Sequence, residues 1–160
     1  MEPEDHEVVR ACLDETGRSL FYSMDTAIQK HCVKVASTVS DMIPAMPGID
    51  RSSLIQAALL HDIGKSKGSF TLMDRVWFVL IRKFLPGLAA ELAGPGRGKR
   101  LPGLRNAFHT HMHHEEIGAS IARRAGLSEE IVFLLRHHHN KEAARFSKEL
   151  AVLLRADELQ

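Results

Sequence analysis

The sequence predicts an all-α fold, a bundle of about six or seven helices, and three observations carry the prediction. No sustained alternation of apolar and polar residues appears, whereas apolar residues recur at spacings of three and four, the period of an amphipathic helix. Glycines and prolines fall between these stretches, and capping residues stand at their starts. With 160 residues, 44% apolar and 26% charged, the chain is close to the roughly 150 residues of one domain and can bury a core.

Each element has its own signal. A short polar helix is expected over about 4–15, ended by Gly17. The next runs from about Ser23 to Ile43, with Asp25 in its first turn and Ile28, Cys32, Val35, Val39 and Met42 on one stripe, until Pro44, Pro47 and Gly48 stop it. Asp50, Ser52 or Ser53 caps the third, LIQAALLHDI, which is apolar almost all round as a central helix is, and which Gly64 ends. From Thr71 to Ala93 a fourth sets Met73, Val76, Trp77, Leu80 and Phe84 on one face, with a kink at Pro86. Its unbroken apolar run, VWFVLI, is far short of the about 20 residues that span a bilayer, so it reads as a buried, homodimer-forming or membrane-surface helix. GPGRGKRLPGLR, residues 94–105, is the one obvious long loop. Helices over about 112–125, closed by Gly126, 129–139, capped by Ser128, and 142–159 complete the chain.

Charge and cysteine content narrow the function classes. A net charge of +1 lacks the broad basic footprint of a nucleic-acid binder. The opening MEPEDHEVVR is acidic where a secretory signal would be basic then apolar, so a cytoplasmic location is expected. Cys12 and Cys32 form no zinc-type spacing and read as small core hydrophobes in a reducing compartment. Ten histidines, all within the body of the chain, stand out against one Tyr and one Trp. Histidine is the commonest metal ligand among side chains.

Six ionisable residues fall on stripes that should be buried. His31 follows Ile28 by three and precedes Val35 by four, and His61 and Asp62 end the run AALL. His114 shares a face with Gly118, Ile121 and Ala125; His138 continues Ile131, Leu134 and Leu135; Asp157 continues Leu150, Leu153 and Leu154. Inward charges on this scale need compensation, and imidazole with carboxylate suits a divalent transition metal.

The segments HCVKVA (31–36), ALLHDIGK (58–65), HEEIGA (114–119), LLRHHHN (134–140) and LLRADEL (153–159) resemble the HD-domain superfamily of metal-dependent phosphohydrolases, in its HDIG form. The resemblance implies a domain over 1–160 with a helix-plus-basic-loop insertion at about 66–110, and makes His31, His61, Asp62 and Asp157 the ligands of one metal. His114 and His138 resemble the further ligands of dinuclear members, in which the carboxylate matching Asp62 bridges two ions. One or two ions are implied, with Fe or Mn preferred and Ni, Zn or Mg as alternatives. The implied reaction is hydrolysis of a small phosphomonoester or phosphodiester, nucleotides foremost, by metal-bound water that Asp62 can help to deprotonate.

Around that set, Lys65 is placed to meet a substrate phosphate or to compensate a helix end. His139 can orient substrate, give a proton to the leaving group or bind a further ion, and His137 takes its neighbour's place if the register slips by one. In AFHTHMHH, His111 is a supporting or substrate residue and His113 faces away. Arg97, Lys99, Arg100 and Arg105 form either an anion lid or a merely solvated loop. No GYP tripeptide follows the HH pair, which argues against the cyclic-dinucleotide members. The same ligand order resembles mixed-valent di-iron oxygenases of the superfamily, and a catalytically idle sensor or scaffold is the third reading.

Overall fold

The computed structural model describes residues 1–45, 47–65 and 102–160 together with positions 81, 83, 84, 86 and 87; of residues 45 and 102–112 it describes the backbone alone. Seven α-helices and no strand lie among the described residues: α1 (Pro3–Cys12), α2 (Glu15–Tyr22), α3 (Thr26–Met42), α4 (Arg51–Leu60), α5 (Pro102–Arg124), α6 (Glu129–His137) and α7 (Lys148–Glu158). Short 3-10 turns occupy Ile43–Ala45 and Ala143–Arg145. No helix among these residues is long and apolar enough to cross a membrane.

The centre of the bundle is α4, which packs against α1, α2, α3, α6 and α7. Leu54, Ala57, Ala58, Leu59 and Leu60 are all fully buried, as its all-round apolar sequence requires. Around it Cys32, Val35 and Val39 of α3, Leu134 and Leu135 of α6 and Leu150 and Leu153 of α7 close the core. Asp50 caps α4 by accepting from the amides of Ser52 and Ser53 at 3.0 and 3.3 Å.

Several boundaries differ from the sequence reading, each for a local reason. Gly17 does not end the first helix: Asp14 accepts from its amide at 2.7 Å and so starts α2, a helix the periodicity had not resolved. The expected loop over 94–105 is already helical from Pro102, a residue whose missing amide and fixed φ suit the first helical position. The expected helix over 142–159 is broken, because Ser147 accepts from the Leu150 amide at 3.1 Å and starts α7 afresh. Gly126, at φ +80°, closes α5 in a Schellman motif, with the Leu127 amide bonded to the Ala122 carbonyl at 3.1 Å.

The expected helix over 71–93 lies outside the described residues except at five positions. There Ile81 is buried and Phe84, placed with the Met73 face by spacing, is 65% exposed. Arg97, Lys99 and Arg100 lie outside the described residues, as do the side chains of Arg105 and His111.

After Leu60 the chain leaves the α-helix and passes His61–Gly64 in tight turns, held by Ile63 amide to Leu60 carbonyl at 3.0 Å and Lys65 amide to Asp62 carbonyl at 2.9 Å. This turn lies directly on α5. A Cβ added at Gly64 would fall on the His114 carbonyl oxygen, 2.7 Å from its carbonyl carbon and 2.9 Å from the Gly118 amide nitrogen. Backbone meets backbone there, and no side chain can give way. Gly64→Ala is expected to cost at least about 1–3 kcal/mol in urea unfolding, the usual range for overpacking; an unchanged midpoint would contradict the close approach.

Candidate metal centre

Five helices deliver six side chains to one point. His31 lies in α3, His61 and Asp62 in the turn after α4, His114 in α5, His138 just past α6 and Asp157 in the last turn of α7. His31 Nε2 donates to Asp157 Oδ1 at 2.9 Å, and His61 Nε2 stands 3.5 Å from the same oxygen. Asp62 Oδ1 faces the Nε2 atoms of His61, His114 and His138 at 3.8, 3.7 and 3.9 Å. Two atoms each about 2.1 Å from one ion lie at most about 4.2 Å apart, so every one of these separations fits a shared metal.

Two of the histidines are aimed by their own helices. His61 Nδ1 donates to the Ala58 carbonyl at 2.8 Å and His138 Nδ1 to the Leu135 carbonyl at 2.7 Å. A carbonyl only accepts, so the Nδ1 proton is fixed and Nε2 is the nitrogen presented to the centre. Cys32 Sγ lies 3.8 Å from His61 Nδ1, a neighbour that follows from its place beside His31 in α3.

The electrostatics ask for a cation. Burial alone would raise the Asp62 carboxyl, but His61 and Lys65 facing it, with the Lys65 hydrogen bond, hold it well below the ordinary carboxylate range. Asp157 is likewise held low against its burial, by His31 and His61. Burial, with His61 and His139 alongside, pushes His138 well below the usual imidazole range and keeps it neutral. For His61 burial opposes the proton and is outweighed by Cys32 and the facing carboxylates, so this pocket draws positive charge.

Satisfaction of polar atoms makes the same demand. His61 Nε2, His138 Nε2 and Asp62 Oδ1 are buried with no hydrogen-bond partner among the described residues. Leaving a buried polar atom unpaired costs about 1–3 kcal/mol, and three converge on one point. The donor set of imidazoles and carboxylates fits a divalent transition metal.

The remaining predicted residues sort by position. Lys65 Nζ bonds Asp62 Oδ2 at 2.7 Å, which leaves Oδ1 for the histidines. His139, 45% exposed in its side chain, places Nδ1 3.6 Å from Asp157 Oδ2 and its ring 4.2 Å from that of His138. His137 turns away to the Phe133 ring at 4.8 Å, and His113 is exposed. The sequence reading missed Glu115, which joins His114, His138 and His139 in a group whose ligand atoms lie within 4.8 Å of one another; His31, His61 and Asp157 form a second such group. The place of Glu115 directly after His114 in HEEIGA gave no signal, since helical periodicity assigns it to another face.

Protein stripped by a chelator and returned to Mn, Fe, Zn or Ni at 100 times the dissociation constant should gain about 2.7 kcal/mol against urea. His61→Ala should lose most of that gain, and because His61 holds its proton well above the usual imidazole range, a metal must displace that proton and uptake should strengthen as pH rises through and beyond that range. Absence of stabilisation by all four metals would remove the metal reading.

Comparison with curated proteins and with solved structures gives no match. The family model described as HD domain matches residues 28–160, which takes in all six clustered residues and leaves out α1 and α2. The chain therefore belongs to the HD domain family.

Proposed function

We propose that this protein is a metal-dependent phosphohydrolase acting on a small phosphomonoester or phosphodiester, with nucleotides as the foremost substrate class. The observation that carries the reading is Asp62 Oδ1: a buried carboxylate oxygen with no hydrogen-bond donor among the described residues, ringed by three imidazole nitrogens at 3.7–3.9 Å. Two divalent ions would be held around it, one by His31, His61 and Asp157 and the other by His114 and His138, with Asp62 shared between them. Divalent ions there would supply an activated water and a Lewis acid for the phosphoryl oxygen.

The protein's own groups do the rest. Asp62, held well below the ordinary carboxylate range, stays ionised and would serve as the carboxylate shared between the ions. Lys65 keeps its ammonium on Asp62 Oδ2 while 29% of its side chain remains exposed, and so can meet a substrate phosphate without leaving the carboxylate. His111, Arg97, Lys99 and Arg100 are proposed as further phosphate contacts on their sequence position. The two free thiols, Cys12 and Cys32, fit the cytoplasm as the working compartment.

With added Mn, the protein is expected to turn over p-nitrophenyl phosphate or its bis ester, and Asp62→Ala to abolish that turnover. Lys65→Ala should lower kcat/KM about 10–100-fold, the equivalent of one charge-assisted hydrogen bond. Retained activity in Asp62→Ala sinks the mechanism. Dioxygen consumption by the Fe-loaded protein, without phosphoester turnover, would move the reading to the oxygenase branch, and neither activity with any of the metals to the scaffold.

A further inference from the structure

We infer that Glu115 and His139 complete a separate four-ligand position for the second ion, with His114 and His138, so that this ion does not depend on Asp62 alone for negative charge. The inference rests on the metal-centre reading above and deepens it. Its observation is the group His114, Glu115, His138 and His139, whose ligand atoms lie within 4.8 Å of one another. A contraction of about half an ångström brings such atoms within the about 4.2 Å that ligands of one ion can span.

Adjacent glutamates on α5 divide their work. Glu116 reaches Arg136 of α6 in an ion pair at 3.3 Å, whereas Glu115, half-buried, belongs to the histidine group. The imidazoles around it are close together, with ring centroids 5.2 Å apart for His114 and His138, 5.4 Å for His114 and His139 and 4.2 Å for His138 and His139.

Charge supplies the second argument. The group of His31, His61 and Asp157 has a carboxylate of its own and shares Asp62. Without Glu115 the other group would offer three imidazoles and a share of one carboxylate to a doubly charged ion. With Glu115, three carboxylates face two divalent ions, and each ion has one that it does not share. His139 then provides the exposed edge of this position, which makes the second ion the more exchangeable of the two.

The test compares metal stoichiometry and affinity in wild type, Glu115→Gln, His139→Gln and the neighbour control Glu116→Gln, by mass spectrometry of the intact chain under native conditions during Mn titration. Mn electron paramagnetic resonance runs in parallel, and circular dichroism checks the fold of each variant. Wild type and Glu116→Gln should bind two ions and give a spin-coupled signal. Glu115→Gln and His139→Gln should keep the first ion, weaken the second on the order of 10–100-fold or more, and give the uncoupled six-line spectrum. Two ions of unchanged affinity in Glu115→Gln overturn the inference and leave the dinuclear hydrolase intact. A wild type that binds one ion overturns it while a mononuclear hydrolase stands, and one that binds none removes both. If Glu115→Gln fails to fold, His139→Gln decides by the same criteria.

Discussion

The structure turns on how one carboxylate is held. Asp62 is almost wholly buried at the end of the central helix, where an uncompensated charge would cost several kcal/mol. Its two oxygens are treated differently: Oδ2 takes the Lys65 ammonium at 2.7 Å, while Oδ1 faces three imidazole nitrogens. Lys65, together with His61, offsets part of that charge, and the lysine's hydrogen bond fixes the rotation of the group. The close approach of Gly64 to His114 and Gly118 serves the same end, since it brings α5 near enough for His114 to face Asp62. A side chain at Gly64 would separate the turn from the helix and, with it, one half of the centre from the other.

A second economy lies in the helix ends. The last carbonyls of a helix lack intrahelical donors. Near the ends of α4 and α6 the Nδ1 protons of His61 and His138 bond the Ala58 and Leu135 carbonyls, each three residues back. One imidazole therefore satisfies a backbone acceptor and presents Nε2 to the centre in a defined tautomer. This also accounts for the turns after α4 and the end of α6 at His137, both earlier than periodicity alone would place them.

Much of this was legible in sequence because burial leaves a pattern. His31, His61, Asp62, His114, His138 and Asp157 each occupy a position where the helical stripe asks for an apolar residue, and the structure brings all six to one place. Glu115 was not legible, since one step from His114 along a helix turns a side chain by about 100°, and periodicity assigns it to another face. Only the convergence of α5 with the end of α6 brings it to His138 and His139. The start of α2 was missed for the opposite reason: its signal is the single capping bond from the Gly17 amide to Asp14, which overrides a glycine that reads as a stop. The break at Ser147 is likewise local capping chemistry, invisible to a count of apolar spacings.

The gradient of exposure across the cluster divides it into a floor and a rim. His61, Asp62, His114 and His138 are buried, whereas His31, Lys65 and His139 keep 31%, 29% and 45% of their side chains in contact with solvent. The buried members meet in a low-dielectric interior, where ligand charge attracts a cation most strongly. The rim members hold their geometry through Asp62 and Asp157: Lys65 and His31 by hydrogen bonds of 2.7 and 2.9 Å, and His139 by an ion-pair distance of 3.6 Å. Floor and rim are therefore coupled through two carboxylates that belong to both. A ligand that draws Lys65 or His139 toward solvent acts on the Oδ2 atoms of the same two carboxylates whose Oδ1 atoms face the imidazoles, so events at the rim bear on how tightly the floor holds positive charge.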